Sequence, residues 1–239
     1  LENLGVKFVL NFEVQAKELS EIEDKYDAIF LGLGTYESIK GDYKGFEKDG
    51  VVEALPYLTE NTKYLMNEND ALSMDFKNQK VVVLGGGDTA MDCVRTALRQ
   101  GAKKVTCVYR RDFENMPGSR KEVKHAMEEG VEFLFNHQIV EAKGDDKLSE
   151  LIAEETELFG NDGSGRKKPK VKEGTQKKIE LDKLVIAFGY QASPQEFFTN
   201  KKINVDDWGL IQLNNDKFKY QTSNEKYFAG GDMTVSYTH

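Results

Sequence analysis

The residues most suited to chemistry are a set of glycines and a pair of arginines. Gly85-x-Gly87-x-x-Ala90 follows the apolar run Lys80–Leu84, a spacing that forms a phosphate-binding turn between a strand and a helix. Gly85 permits a tight reversal. Gly87 has no Cβ, so backbone can approach a pyrophosphate, and Ala90 lets the helix pack near the strand. With Gly86, Asp88 and Thr89 these residues form the predicted cradle, where a helix N-terminus offers free N–H groups and the positive end of its dipole. The next apolar run, Lys104–Tyr109, ends in Arg110 and Arg111. A site for a ribose 2′-hydroxyl usually carries Asp or Glu there, about 20 residues past the glycines. Guanidinium forks suit a phosphate instead. The expectation is NADP(H) binding rather than NAD(H). The alternative is a tight turn of another α/β fold with Arg110 and Arg111 on a solvated loop.

Several elements must position these groups. A helix is predicted from about Thr89 to Gln100, capped by Asp88 or Thr89 and ended by Gly101 in the left-handed region. A second runs from Ser119 to Glu129: Ser119 is its cap, Glu122 stands three residues on, and Gly130 stops it. Strands are predicted at 80–84, 104–109, 131–136 and 184–188. Residues 138–180 look like an antiparallel insertion, in which Leu148–Leu158 fits strand or helix and Gly160–Gly165 reads as a turn. The basic run Arg166–Lys172 lacks interleaved aromatics and reads as a solvated hairpin tip, the alternative being a docking site for an acidic partner.

The chain of 239 residues is 39% hydrophobic with a net charge of −8. That balance supports a folded core and argues against nucleic-acid binding. No apolar run reaches the length of a membrane span, and no signal peptide is present, so a cytoplasmic protein is expected. Cys93 and Cys107 are expected to be buried thiols in a reducing compartment. His125, His137 and His239 are expected to be structural or solvated.

An internal echo sets the domain organisation. Gly5–Asn11 resembles Gly130–Asn136, and Tyr26–Gly34 resembles Leu181–Gly189 in the same order. The echo implies two related units. The first would have its own glycine loop upstream of Leu1, leaving a strand at Lys7–Asn11 short of partners. The predicted fold is α/β: a Rossmann-like domain, with a parallel sheet and an antiparallel insertion, set into a partial FAD-binding domain. The boundaries expected are 1–75, 76–190 and 191–239, with crossings near Met74–Asn78 and Gly189–Pro194. Short strands are also expected at Trp208–Leu213 and at Lys226–Ala229, the latter running into Gly230-Gly231-Asp232.

The segments Leu84–Ala97, Tyr109–Asp112, Asn115–Val123 and Phe228–Asp232 resemble those of the small-subunit family of bacterial NADPH-dependent glutamate synthases, as do Leu31–Tyr36 and Ala54–Leu58. The resemblance runs through nearly the whole chain to Met233. It implies a flavoprotein with two dinucleotide-binding domains. In such a protein NADPH reduces FAD, and electrons pass through 4Fe-4S clusters to a large subunit that makes glutamate from glutamine and 2-oxoglutarate. By position, Gly85, Gly87, Asp88, Thr89 and Ala90 would cradle the NADPH pyrophosphate. Arg110 and Arg111 would hold the 2′-phosphate, with help from Arg120, and Gly189 would close a turn near the nicotinamide half. Gly32, Gly34 and Thr35 would touch FAD, and Asp232 would accept from its ribityl chain. The family's cluster-binding cysteines and first FAD loop are absent from this sequence. FAD is therefore expected to meet an incomplete site here and iron–sulfur clusters none, and the ending after Met233 departs from the family. Hydride transfer between nicotinamide and flavin needs no protein acid or base, so no catalytic residue is assigned. The partner is a glutamate synthase large subunit or another electron acceptor protein. The rivals are an input module for a ferredoxin:NADP or pyrimidine reductase, and an assembly module without turnover.

Overall fold

The computed structural model describes residues 1–162, 165–214 and 218–234. In chain order its principal elements are α1 (Ala16–Lys25), β1 (Ile29–Leu31), β2 (Val51–Glu53), α2 (Ala54–Leu65), β3 (Lys80–Leu84), α3 (Asp88–Arg99), β4 (Lys104–Val108), α4 (Arg120–Glu128), β5 (Glu132–Leu134), β6 (His137–Lys143), β7 (Glu150–Phe159), β8 (Lys168–Val171), β9 (Lys177–Glu180), β10 (Lys183–Ile186), α5 (Phe197–Asn200) and β11 (Tyr227–Ala229). They form two compact units, Ser38–Gly189 and a second made of Leu1–Glu37 with the chain from Tyr190 onward.

The larger unit is built on a five-stranded sheet in the order β2-β10-β3-β4-β5, parallel throughout. Its central strand, Lys-Val-Val-Val-Leu, is apolar at consecutive positions because both faces are covered. Val81 and Val83 pack with Tyr57 of α2, Met91 and Val94 of α3 and Val123 of α4. Val82 and Leu84 pack on the opposite face with Ile139 of β6 and Leu151 and Ala153 of β7. The antiparallel layer β9-β7-β6, with β8 paired to the distal part of β7, occupies the face where a second set of helices is the usual solution. The predicted insertion is therefore a structural layer. The segment left open between helix and strand is strand β7. The turn expected at 160–165 falls partly at residues 163 and 164, outside the described residues.

Residues 38–75 pack with this unit, so the division by contacts lies well upstream of the break expected near Met74. β2 adds to the sheet edge alongside β10. Tyr57 is fully buried, its ring stacked on Phe76 at 4.5 Å between centroids and its hydroxyl donating to Gln100 Oε1 at 3.1 Å.

In the second unit β1 and β11 pair in parallel, with Phe30 opposite Phe228. Leu31, Tyr227 and Ile211 form its core with Leu19 of α1 and Phe197 and Phe198 of α5. The strand expected at Lys7–Asn11 joins no ladder among the described residues, and Phe8, Val9 and Leu10 are exposed. A strand needs a neighbour's backbone as well as its own pattern. Isolated bridges at Ile211 and Leu213 replace the strand expected at Trp208–Leu213.

Candidate functional site

Parallel strands bring their C-terminal ends to one edge, where loops form a crevice. In the larger unit the turns after β3, β4 and β10 meet there and line a cleft of about 480 Å³. Gly85, Gly86, Gly87 and Thr89 form one wall, with Arg110, Arg111 and Gly189 from the neighbouring turns. Seven of the fourteen residues singled out from sequence thus share one cavity.

The glycine loop divides by task. A Cβ on Gly85 would collide with the Ala187 carbonyl, and one on Gly86 with the Tyr109 ring. These two positions serve close packing within the protein. A Cβ on Gly87 would meet nothing within 4 Å, which leaves a space of the kind a pyrophosphate occupies. Gly87 is itself the N-cap of α3, and neither Asp88 nor Thr89 caps the helix as expected. The first-turn amides of Asp88 and Thr89 have no acceptor among the described residues, so the positive end of the helix is left for a ligand. These features fit a dinucleotide phosphate.

Asp88 has another task. Its Oδ1 accepts from the Ser119 amide at 2.7 Å, while the Gly118 amide donates to the Gly86 carbonyl at 2.9 Å. The Pro117–Ser119 loop is thereby fastened to the glycine loop. Ala90 is fully buried in the helix–sheet contact. Cys107, beneath the loop, donates its thiol hydrogen to the Gly85 carbonyl at 3.4 Å, and burial pushes its pKa up to about 12. Burial raises the Cys93 thiol likewise. Both thiols are free and buried, as expected, and neither supplies a thiolate near neutral pH.

The arginines differ. Arg110 is exposed at the cleft. Arg111 is buried: its Nη2 pairs with Asp162 Oδ2 at 2.7 Å and its Nε donates to the Lys167 carbonyl at 2.6 Å. Arg120 turns away from the cleft, stacks over the Phe113 ring at 4.4 Å and donates to the Phe113 and Glu114 carbonyls. That geometry holds the 113–120 loop together, in place of the reach toward the 2′-phosphate expected for Arg120.

Among the cleft residues that the sequence reading did not single out, two stand beside the arginines. His137 lines the cleft, its Nδ1 at 2.7 Å from the Phe135 carbonyl. Arg166 lines it from the hairpin, at the head of the basic run read as solvated. Its position within a run of lysines gave no sign of this.

In the second unit Gly32, Gly34 and Thr35 follow β1, and Asp232 follows its parallel partner β11. The Gly230 amide donates to the Leu31 carbonyl at 3.2 Å, tying the two turns together. Gly34 and Gly231 hold positive φ of 67° and 84°, which glycine adopts without strain. Asp232 is exposed at this edge. Small residues and a carboxylate at the ends of two parallel strands suit a nucleotide cofactor such as FAD.

Known proteins resemble this chain. Residues 5–239 match the sequence pattern described as "Pyridine nucleotide-disulphide oxidoreductase". The glutamate synthase [NADPH] small chain of Halomonas elongata is 46% identical over 97% of this chain and 50% of its own length, and that of Escherichia coli 45% over 96% and 50%. The NADP(+)-dependent formate dehydrogenase subunit beta of Moorella thermoacetica is 33% identical over 98% of this chain and 32% of its own length. The chain thus spans about half the length of the two glutamate synthase relatives it matches. Among solved structures, Mycobacterium tuberculosis FprA in complex with NADPH superposes with a TM-score of 0.71 at 19% identity, over 92% of this chain and 60% of that one. Lactococcus lactis thioredoxin reductase gives 0.63 at 21%, over 87% and 58%. At such identities the likeness carries the fold alone. Among the described residues no helix is long and apolar enough to cross a membrane, and no cluster of side chains fits a metal.

Proposed function

Since the chain belongs to the pyridine nucleotide-disulphide oxidoreductase family, we propose that it is the NADPH-binding portion of a flavin-dependent oxidoreductase. It is most like the glutamate synthase small subunit and passes electrons from NADPH through FAD toward iron–sulfur clusters and a large-subunit partner. The observation that carries this reading is the cleft itself: an uncapped helix N-terminus beside Gly87, with Arg110 at the end of the adjacent strand. When bound, NADPH supplies a hydride and FAD accepts it. The residues of this chain bind, orient and keep out water. Gly85, Gly86 and Gly87 shape the pyrophosphate turn, and Asp88 secures the loop beside it. Arg110 meets the 2′-phosphate, while Gly32, Gly34, Thr35 and Asp232 receive FAD.

The family name refers to a redox disulphide, but Cys93 and Cys107 are buried with raised pKa values, so the reading routes no electrons through them. The reading assigns no cluster ligation to these two thiols. Glutamate synthesis and the large-subunit partner rest on the 46% and 45% identity to glutamate synthase small chains. A second acceptor is favoured by one observation, the 33% identity to a formate dehydrogenase subunit. Reconstitution with a glutamate synthase large subunit decides between them. NADPH oxidation that requires both glutamine and 2-oxoglutarate supports the first. NADPH-dependent dye reduction without that requirement points to another acceptor.

A further inference from the structure

We propose that selectivity for the 2′-phosphate is supplied from two separate parts of the chain, by Arg110 after β4 and Arg166 of the insertion hairpin, and that Arg111 is the positioning residue that fixes the hairpin rather than a phosphate ligand. The proposal rests on the NADPH reading above and deepens it.

Arg111 is already committed. Its side chain is 5% exposed and paired with Asp162 at 2.7 Å. Turning it to an incoming phosphate would break the short pair with the half-buried Asp162 carboxylate and give up the bond to the Lys167 carbonyl, leaving the buried guanidinium to be paired anew. Through those two bonds Arg111 grips both sides of the turn that carries Arg166. Asp162 Oδ1 also accepts from the Arg166 amide at 3.1 Å, and the Asp162 amide donates to the Arg166 carbonyl at 2.6 Å. A second clamp comes from the loop after β4, where the Lys167 amide donates to Asn115 Oδ1 at 3.2 Å and Asn115 is itself held by Asp112 Oδ1. Thr156 Oγ1, on β7, donates to the Arg110 carbonyl at 2.8 Å. The hairpin and the strand end therefore form one frame; of the three arginines that line its cleft, Arg111 is buried, Arg110 is exposed and Arg166 is half-buried, its Nε 4.0 Å from Asp162 Oδ2. Two guanidinium groups on a common frame suit a dianionic phosphate monoester.

Calorimetric titration of the purified chain with NADPH and with NADH tests this. Arg166→Ala is expected to weaken NADPH by roughly tenfold to a hundredfold and NADH by little, since a charge-assisted contact is lost only where the phosphate exists. Arg111→Ala is expected to lose NADPH selectivity in the native background and to lose no more in an Arg166→Ala background, because it acts through Arg166. Asp162→Ala gives the same pattern from the other side of the pair. Unchanged selectivity in Arg166→Ala, or additive losses from Arg111→Ala and Arg166→Ala, overturns the proposal. If Arg110→Ala lowers selectivity while Arg166→Ala does not, the NADPH reading stands and this inference fails. If the native chain makes no distinction between the two nucleotides, both fail.

Discussion

Gly86 and Gly87 are neighbours with different reasons to be glycine, and substitution separates them. Gly86→Ala presses a methyl group into the Tyr109 ring and is expected to cost about 1–3 kcal/mol of stability, measured as a lowered Tm. Gly87→Ala enters open space at φ −90°, which an alanine adopts readily. Its Tm is expected to stay near native, within about 1 kcal/mol, while NADPH affinity falls at least tenfold. A Gly87→Ala variant that binds normally would place the pyrophosphate elsewhere. The loop was legible in sequence because six consecutive residues fix it. Arg111 was not. Its fate is decided by Asp162, far along the chain, and no local spacing reveals that the guanidinium is buried against that carboxylate. Arg120 stood in the same difficulty, since its ring and carbonyl partners depend on how the 113–120 loop folds back.

Among the elements, α3 and α4 hold the glycine loop from behind through one ionic network. Arg95 of α3 bonds both Glu122 and Glu129, with Nη2 to Glu129 Oε1 at 2.7 Å, and Arg99 joins Glu129 at 3.1 Å. The hydrogen bond from Arg95, aided by Arg99, lowers the Glu129 carboxyl below the ordinary glutamate value. Its folded pKa lies below its unfolded one. Its contribution is therefore fully present above about 4.3 and is lost as pH falls through the folded value. Glu129→Gln is expected to lower Tm at pH 7, with the gap closing as pH falls from about 4.3 through the lowered folded value. A gap independent of pH would show that the carboxylate's charge plays no part. Helix α2 is the larger structural commitment: Tyr57→Ala removes a fully buried ring stacked on Phe76, an expected loss of about 3–5 kcal/mol by denaturant melting. The periodicity of α3 and α4 and the apolar run of β3 were plain in sequence. That β2 and α2 join the nucleotide unit was not, because one strand pairing and one aromatic stack, both remote in sequence, determine it. The run at Lys7–Asn11, expected to be short of partners, joins no ladder among the described residues.

At the scale of the whole molecule, the two units each present a row of turns at the C-terminal edge of parallel strands, one suited to NADPH and the other to FAD. Asp232→Ala in the flavin-loaded protein is expected to lower retained flavin absorbance while leaving NADPH affinity unchanged, because Asp232 and the Gly87 cleft belong to different units. An equal loss of both would contradict separate sites. The internal echo read from sequence has a counterpart here: Tyr26–Gly34 and Leu181–Gly189 each supply a parallel strand that runs into a glycine turn, β1 and β10. The measurement that bears most directly on the central claim is calorimetric titration of the native chain and Arg110→Ala with NADPH and NADH. The account predicts NADPH binding at least tenfold tighter than NADH, with most of that advantage lost in Arg110→Ala. Equal affinities in the native chain, or an advantage that survives the substitution intact, would contradict it.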